Sequence, residues 1–163
     1  MRKWGLKVQI FLGTYIHKHV DYKEKLKHPL IEKLLSFDLP KDDFVLAGSA
    51  AMYFVGIKDL GNDLDVIARG EAFEKAKQFG VMDKAPDGSD KVVIDDGKIE
   101  IYSLWIGKDS IEETKDIFSN CKKIGGIQVM WLEDVIKYKK IKAREKDILH
   151  VKLIEEYLKN TER

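Results

Sequence analysis

The sequence predicts an α/β (α+β) domain: a small mixed sheet with flanking helices, N-terminal helices in front and a C-terminal two-helix tail behind. Three observations carry that expectation. Short β-rich apolar runs, "FVLAG" at 44–48 and "DLDVIA" at 63–68, alternate with stretches of helical period. Two further β-rich runs enclose Asp95-Asp96-Gly97 in "KVVIDDGKIEIYSLWI", a strong hairpin signal. The last stretch, "LEDVIKYKKIKAREKDILHVKLIEEYLKN", reads as two closely joined helices.

Taken in order, Trp4, Val8, Phe11, Leu12, Tyr15, Ile16 and His19 fall on one apolar stripe, which predicts a first helix. Its basic lead resembles a leader peptide. The apolar stretch is broken by Gln9, however, and "HKH" follows with no small-residue cleavage site, so a helix is the expectation. "HPLIEKLLSF" starts a second helix with Pro29 in its first turn, and "DLPKDD" ends it. A strand at 44–48 leads into a short helix, "SAAMYFVGI", and then the strand at 63–68. A helix over 70–80 is closed by Gly80, and the hairpin spans 91–106. "DSIEETKDIFSNC" is a helix capped by Asp109 or Ser110, and "IQVMW" (127–131) is a last short strand. Gly125-Gly126 is the one hinge signal. The expected organisation is an N-terminal helical segment (1–40), a core (41–131) holding its acids on one edge of the sheet, and a tail (132–163) that packs on it.

Composition narrows the classes. The chain has 163 residues, 44% hydrophobic and 35% charged, enough for a real core and unlike a disordered chain. A formal net charge of +1 gives no overall basic field for nucleic acid. The single cysteine, Cys121, excludes an internal disulfide framework and a cysteine-based zinc site, and fits a cytoplasmic location. No run approaches the roughly 20 apolar residues of a membrane span, so no membrane partner is expected.

The chemistry gathers around "GSAAMYFVGIKDLGNDLDV" at 48–66. Residues two apart in a strand share a face, so Asp63 and Asp65 stand side by side, about 7 Å apart at their backbones. Such a pair repels unless a cation intervenes, and Mg²⁺ or Mn²⁺ takes carboxylate and phosphate oxygens. Glu100, in the middle of an otherwise apolar strand, is the candidate third acid of a two-metal site; a structural ion pair is its other reading. Gly48-Ser49, at a strand-to-helix turn, lets backbone and hydroxyl approach an anion. Together these are the parts for displacing pyrophosphate from a nucleoside triphosphate. In the tail, Lys139 interrupts the apolar stripe of Leu132, Val135, Ile136 and Ala143, either to meet an anion or to snorkel, while Lys137, Lys140 and Lys142 lie off it on the solvated side.

The order strand, Gly-Ser, helix, Asp-x-Asp resembles the nucleotidyltransferase superfamily that includes DNA polymerase β. The motif reads "LAGSAAMYF…NDLDVIA", with "KIEIY" as the third-acid strand. The tail "WLEDVIKYKKIKAREKDILHV" resembles that of the abortive-infection-type toxin and minimal nucleotidyltransferases. The resemblance covers about residues 44 to 158. It implies metal-dependent transfer of a nucleoside monophosphate from a triphosphate such as ATP to a hydroxyl on RNA (tRNA included), a protein or a small molecule. It implies metal ligands at Asp63, Asp65 and Glu100, phosphate contacts at Gly48 and Ser49, and nucleotide-side roles for Lys139 and Asp147. For Asp147, capping of the last helix is the other reading. By the same resemblance, a toxin–antitoxin setting with a partner protein is expected. Two positions depart from the pattern: the third acid is Glu100 rather than aspartate, and Ala50-Ala51 stands where a basic residue often follows Gly-Ser. A degenerate nucleotidyltransferase-like binding module, antitoxin-like or regulatory, is therefore the alternative.

Overall fold

Apolar runs become strands here because each has a neighbour to pair with and a helix to cover it. The computed structural model describes residues 20–105 and 110–161. The helix expected around residues 4–19 and the cap at Asp109 lie outside them. β1 (Phe44–Ala47) leads into α3 (Ser49–Phe54), and β2 (Leu64–Ala68) into α4 (Gly70–Ala76). β3 (Val81–Lys84), β4 (Asp90–Ile94) and β5 (Ile99–Tyr102) form a meander, followed by α5 (Ser110–Asn120). β6 (Lys122–Ile124) and β7 (Ile127–Val129) make a second hairpin. Ahead of β1 lie α1 (Tyr22–Lys25) and α2 (Pro29–Ser36). The tail is α6 (Leu132–Lys142) and α7 (Glu145–Thr161).

Among the described residues these strands form one mixed sheet in the order β3-β4-β5-β2-β1-β7-β6. β2 runs parallel to β5 and β1 parallel to β7, while the remaining pairs are antiparallel. The fold is therefore α+β, with a mixed sheet, flanking helices and two C-terminal helices. Ile31 and Leu34 of α2 are buried in the same core as Leu46, Val66 and Ile101 of the central strands. No helix among the described residues is long and apolar enough to cross a membrane.

Four expectations change. The acids do not sit on an edge of the sheet: Asp65 and Glu100 belong to β2 and β5, near its middle. β3 and β6 were not expected, because both are short and their side chains largely face water. Gly80 does not close α4 by a left-handed turn. It is glycine because a Cβ there would overlap the Val93 carbonyl oxygen and fall 2.6 Å from Ile94 Cγ1. Gly125-Gly126 is not a hinge but the tight turn between β6 and β7, with φ of 57° and 81°. Both values are open to glycine and are the sign that a primed hairpin turn needs.

Candidate active-site cleft

Strand register assembles the acids. Ala47 lies opposite Asp65, and Asp65 opposite Glu100, so the three share one face of adjacent strands. Asp63 precedes β2 in an exposed loop. The chain leaves β1 through Gly48 at φ 59°, a conformation that L side chains rarely adopt. A Cβ at Gly48 would stand 3.4 Å from Asp65 Oδ2, so the backbone turns directly against the carboxylate. Ser49 then opens α3.

Asp65 carries the electrostatic load. Burial pushes its carboxyl up to about 6; Asp63 and Glu100 add to the rise, and Lys142 and Lys139 oppose it. Lys142 and Lys139 act on Asp65 only from a distance, whereas Glu100 has its partners in contact. Lys91 Nζ donates to its Oε1 at 2.6 Å, and the Tyr102 hydroxyl donates to its Oε2 at 2.7 Å. Burial first, then Asp65 and Glu100, hold the Tyr102 proton on, well above the ordinary range. Among the described residues, no three histidine, cysteine or acidic side chains already stand close enough to grip an ion between them.

The tail forms the opposite wall. Gly48, Ser49, Asp63, Asp65, Glu100, Lys139 and Asp147 all line one cleft of about 180 Å³. Lys139 is buried as its stripe predicts, but it is not unpaired: its Nζ lies 3.3 Å from Asp147 Oδ1. Arg144 donates to the same carboxylate through Nε at 2.6 Å and Nη2 at 3.2 Å. Asp147 is 0% exposed. Burial alone would raise its carboxyl, but Arg144 and Lys139 outweigh that and hold it at about 2. Its acid is thus the internal counter-ion of two cations, and it lines the cleft beside them. Burial in turn pulls the Lys139 ammonium below its ordinary value, against Asp147.

Several lining residues escaped sequence reasoning: Tyr102, Trp105, Tyr138, Lys142, Arg144, Lys146 and His150. Lys142 is exposed as expected, yet it lies three residues after Lys139 and so lines the cleft too. Helical spacing could have found it, as it could have found Lys146 and His150, four apart on α7. Trp105 and Tyr138 are buried and pack edge to face at 5.9 Å. Burial, helped by Lys139 and Lys58, holds His150 neutral with its pKa at about 4.

No family model matches the chain, and no curated protein matches it. Among solved structures, the crystal structure of JHP933 from Helicobacter pylori is similar over 66% of this chain, at 22% identity and a TM-score of 0.38. The chain spans 53% of that protein, about half its length. At that level the likeness bears on neither the activity nor the substrate of this chain.

Proposed function

We propose that the protein is a metal-dependent nucleotidyltransferase, moving a nucleoside monophosphate from a triphosphate to a hydroxyl and releasing pyrophosphate. One observation carries this reading. A wall of carboxylates, Asp63, Asp65 and Glu100, faces a wall of cations, Lys139, Lys142 and Arg144, across a single cleft. The first wall calls for a divalent ion and the second for phosphate oxygens.

The donor set fits Mg²⁺ or Mn²⁺: hard carboxylate oxygens, with Asp65 pushed to about 6 by burial first and then by its neighbours Asp63 and Glu100. Asp63 and Asp65 would hold the ion, which supplies charge stabilisation at the transferring phosphoryl group. Gly48 lets the triphosphate approach the backbone, and the Ser49 hydroxyl donates to a phosphate oxygen. Lys142, whose ammonium stands 5.7 Å from the centre of the Trp105 ring, balances the growing charge on the departing pyrophosphate, with Lys139 behind it. The acceptor hydroxyl oxygen attacks the α-phosphorus as the bond to the β-phosphate oxygen breaks. Its proton passes to the Glu100 carboxylate, which retains lone pairs beyond those used by Lys91 and Tyr102.

Thermal unfolding tests the reading without knowledge of the acceptor. Mg²⁺ with a non-hydrolysable triphosphate should raise the midpoint by several degrees, since ligand at 100 times its Kd adds about 2.7 kcal/mol. Asp63→Asn combined with Asp65→Asn should lose that rise and any nucleotidyl transfer. No rise in the wild-type protein at millimolar ligand refutes the assignment. A second reading, a module that binds nucleotide without transferring it, is favoured by the engagement of both Glu100 oxygens. It predicts the same rise with no transfer to any acceptor.

A further inference from the structure

Glu100 already has a cation beside it, and the sheet register explains why. Lys91 lies opposite Tyr102 on β4, and Val93 lies opposite Glu100, so Lys91, Glu100 and Tyr102 share the face that carries Asp65. Lys91 is diagonal to Glu100, a separation that a long side chain spans. The resulting pair, at 2.6 Å, is partly shielded from water, with Lys91 14% and Glu100 25% exposed. Asp83, opposite Lys91 on β3, steadies the ammonium from the outer side, with its Oδ2 4.0 Å away. Tyr102 takes the other Glu100 oxygen.

Three clustered carboxylates would ordinarily call for two divalent ions. Here one carboxylate is neutralised and sterically engaged by a side chain of the same chain. We propose that Lys91 is a built-in cation standing in for one of those two ions, so that the cleft takes a single divalent ion, at Asp63 and Asp65, with each triphosphate. This rests on the reading of the cleft as a metal–triphosphate site. Lys91 is then a positioning residue: it fixes the Glu100 carboxylate beside the acceptor hydroxyl and denies its oxygens to a second metal.

Counting ions tests this. Equilibrium dialysis of the full chain against Mn²⁺ and a mixture of the four α,β-methylene nucleoside triphosphates gives manganese retained per nucleotide. We expect one in the wild-type protein and one in Lys91→Arg, which keeps the charge. We expect two in Lys91→Met, which frees Glu100, and one again in Lys91→Met with Glu100→Gln. Two ions in the wild-type protein would overturn the inference while leaving the metal–triphosphate reading intact. One ion in a folded Lys91→Met would also overturn it, since Lys91 would not then be what excludes the second. Nucleotide retained without manganese, or no nucleotide retained, would overturn the underlying reading and the inference with it. The wild-type count needs no variant, so a Lys91→Met chain that fails to fold leaves the test decisive.

Discussion

Burial lifts the Asp65 carboxyl from an ordinary 3.8 to about 6, while Arg144 and Lys139 hold Asp147 at about 2 despite its burial. The two acids therefore bend the stability–pH curve in opposite senses. Between about pH 4 and 6 the folded chain holds a proton on Asp65 that the unfolded chain has lost, so stability falls as pH rises through that window. The gap is worth about 3 kcal/mol. Asp65→Asn should then gain on the order of 2–3 kcal/mol at pH 8 and nothing below pH 4, measured by urea unfolding across pH. For Asp147 the depressed value means stabilisation is present above about pH 4 and lost as pH falls toward 2. Asp147→Asn strands Lys139 in a buried position and should cost about 3–5 kcal/mol at neutral pH. A loss under about 1 kcal/mol would show that Lys139 reaches water. At this scale the sequence was informative where chemistry is local. Asp63, Asp65, Gly48 and Ser49 stand out because acids and a Gly-Ser break an apolar pattern. The Glu100 partner was not legible, because Lys91 reaches it through strand register, whereas Arg144 stands at the three-residue helical spacing from Asp147 that local sequence does carry.

Element by element, the strands read from the sequence were those with a buried face. β1 and β2 are almost wholly buried, and their apolar runs show it. β3 reads "VMDK" with all four residues exposed, Val81 at 73%, and its backbone pairing with β4 leaves no trace in side-chain pattern. What the sequence does record is Gly80, where the chain passes close against β4. Gly80→Ala should displace β4 or expel β3, costing about 3 kcal/mol, at the upper end of ordinary overpacking. An unchanged unfolding midpoint would mean the β3–β4 hairpin yields freely. The β6–β7 hairpin is held differently. Gly125 and Gly126 supply its positive φ values, and a Cβ at Gly125 would also press to 3.2 Å from Leu26 Cδ1 of the loop after α1.

At the level of the whole molecule, the cleft exists because two separate stretches meet. The sheet presents acids and the α6–α7 pair presents cations, with α6 packed beside α3 just beyond Gly48-Ser49. The alternation of runs made the α+β class legible, and helical periodicity made the tail legible. The strand order was not, since β1 pairs with β7 some eighty residues away in sequence and no local pattern encodes that partner.

The central placement of β2 and β5 has a kinetic consequence. Hydrogen bonds in edge strands open by fraying, but those between the third and fourth strands of seven are freed only when much of the sheet comes apart. The amide protons of Val66 and Ile101 should therefore exchange with deuterium at the rate of global unfolding, while those of β3 and β6 exchange orders of magnitude faster. Fast exchange at Val66 would show a sheet that opens at its middle. If protection is uniform there, the crowding of Asp65 and Glu100 cannot relax by local loosening. The carboxylates stay poised between one molecular opening and the next, and a ligand meets a site whose geometry is already set when it arrives.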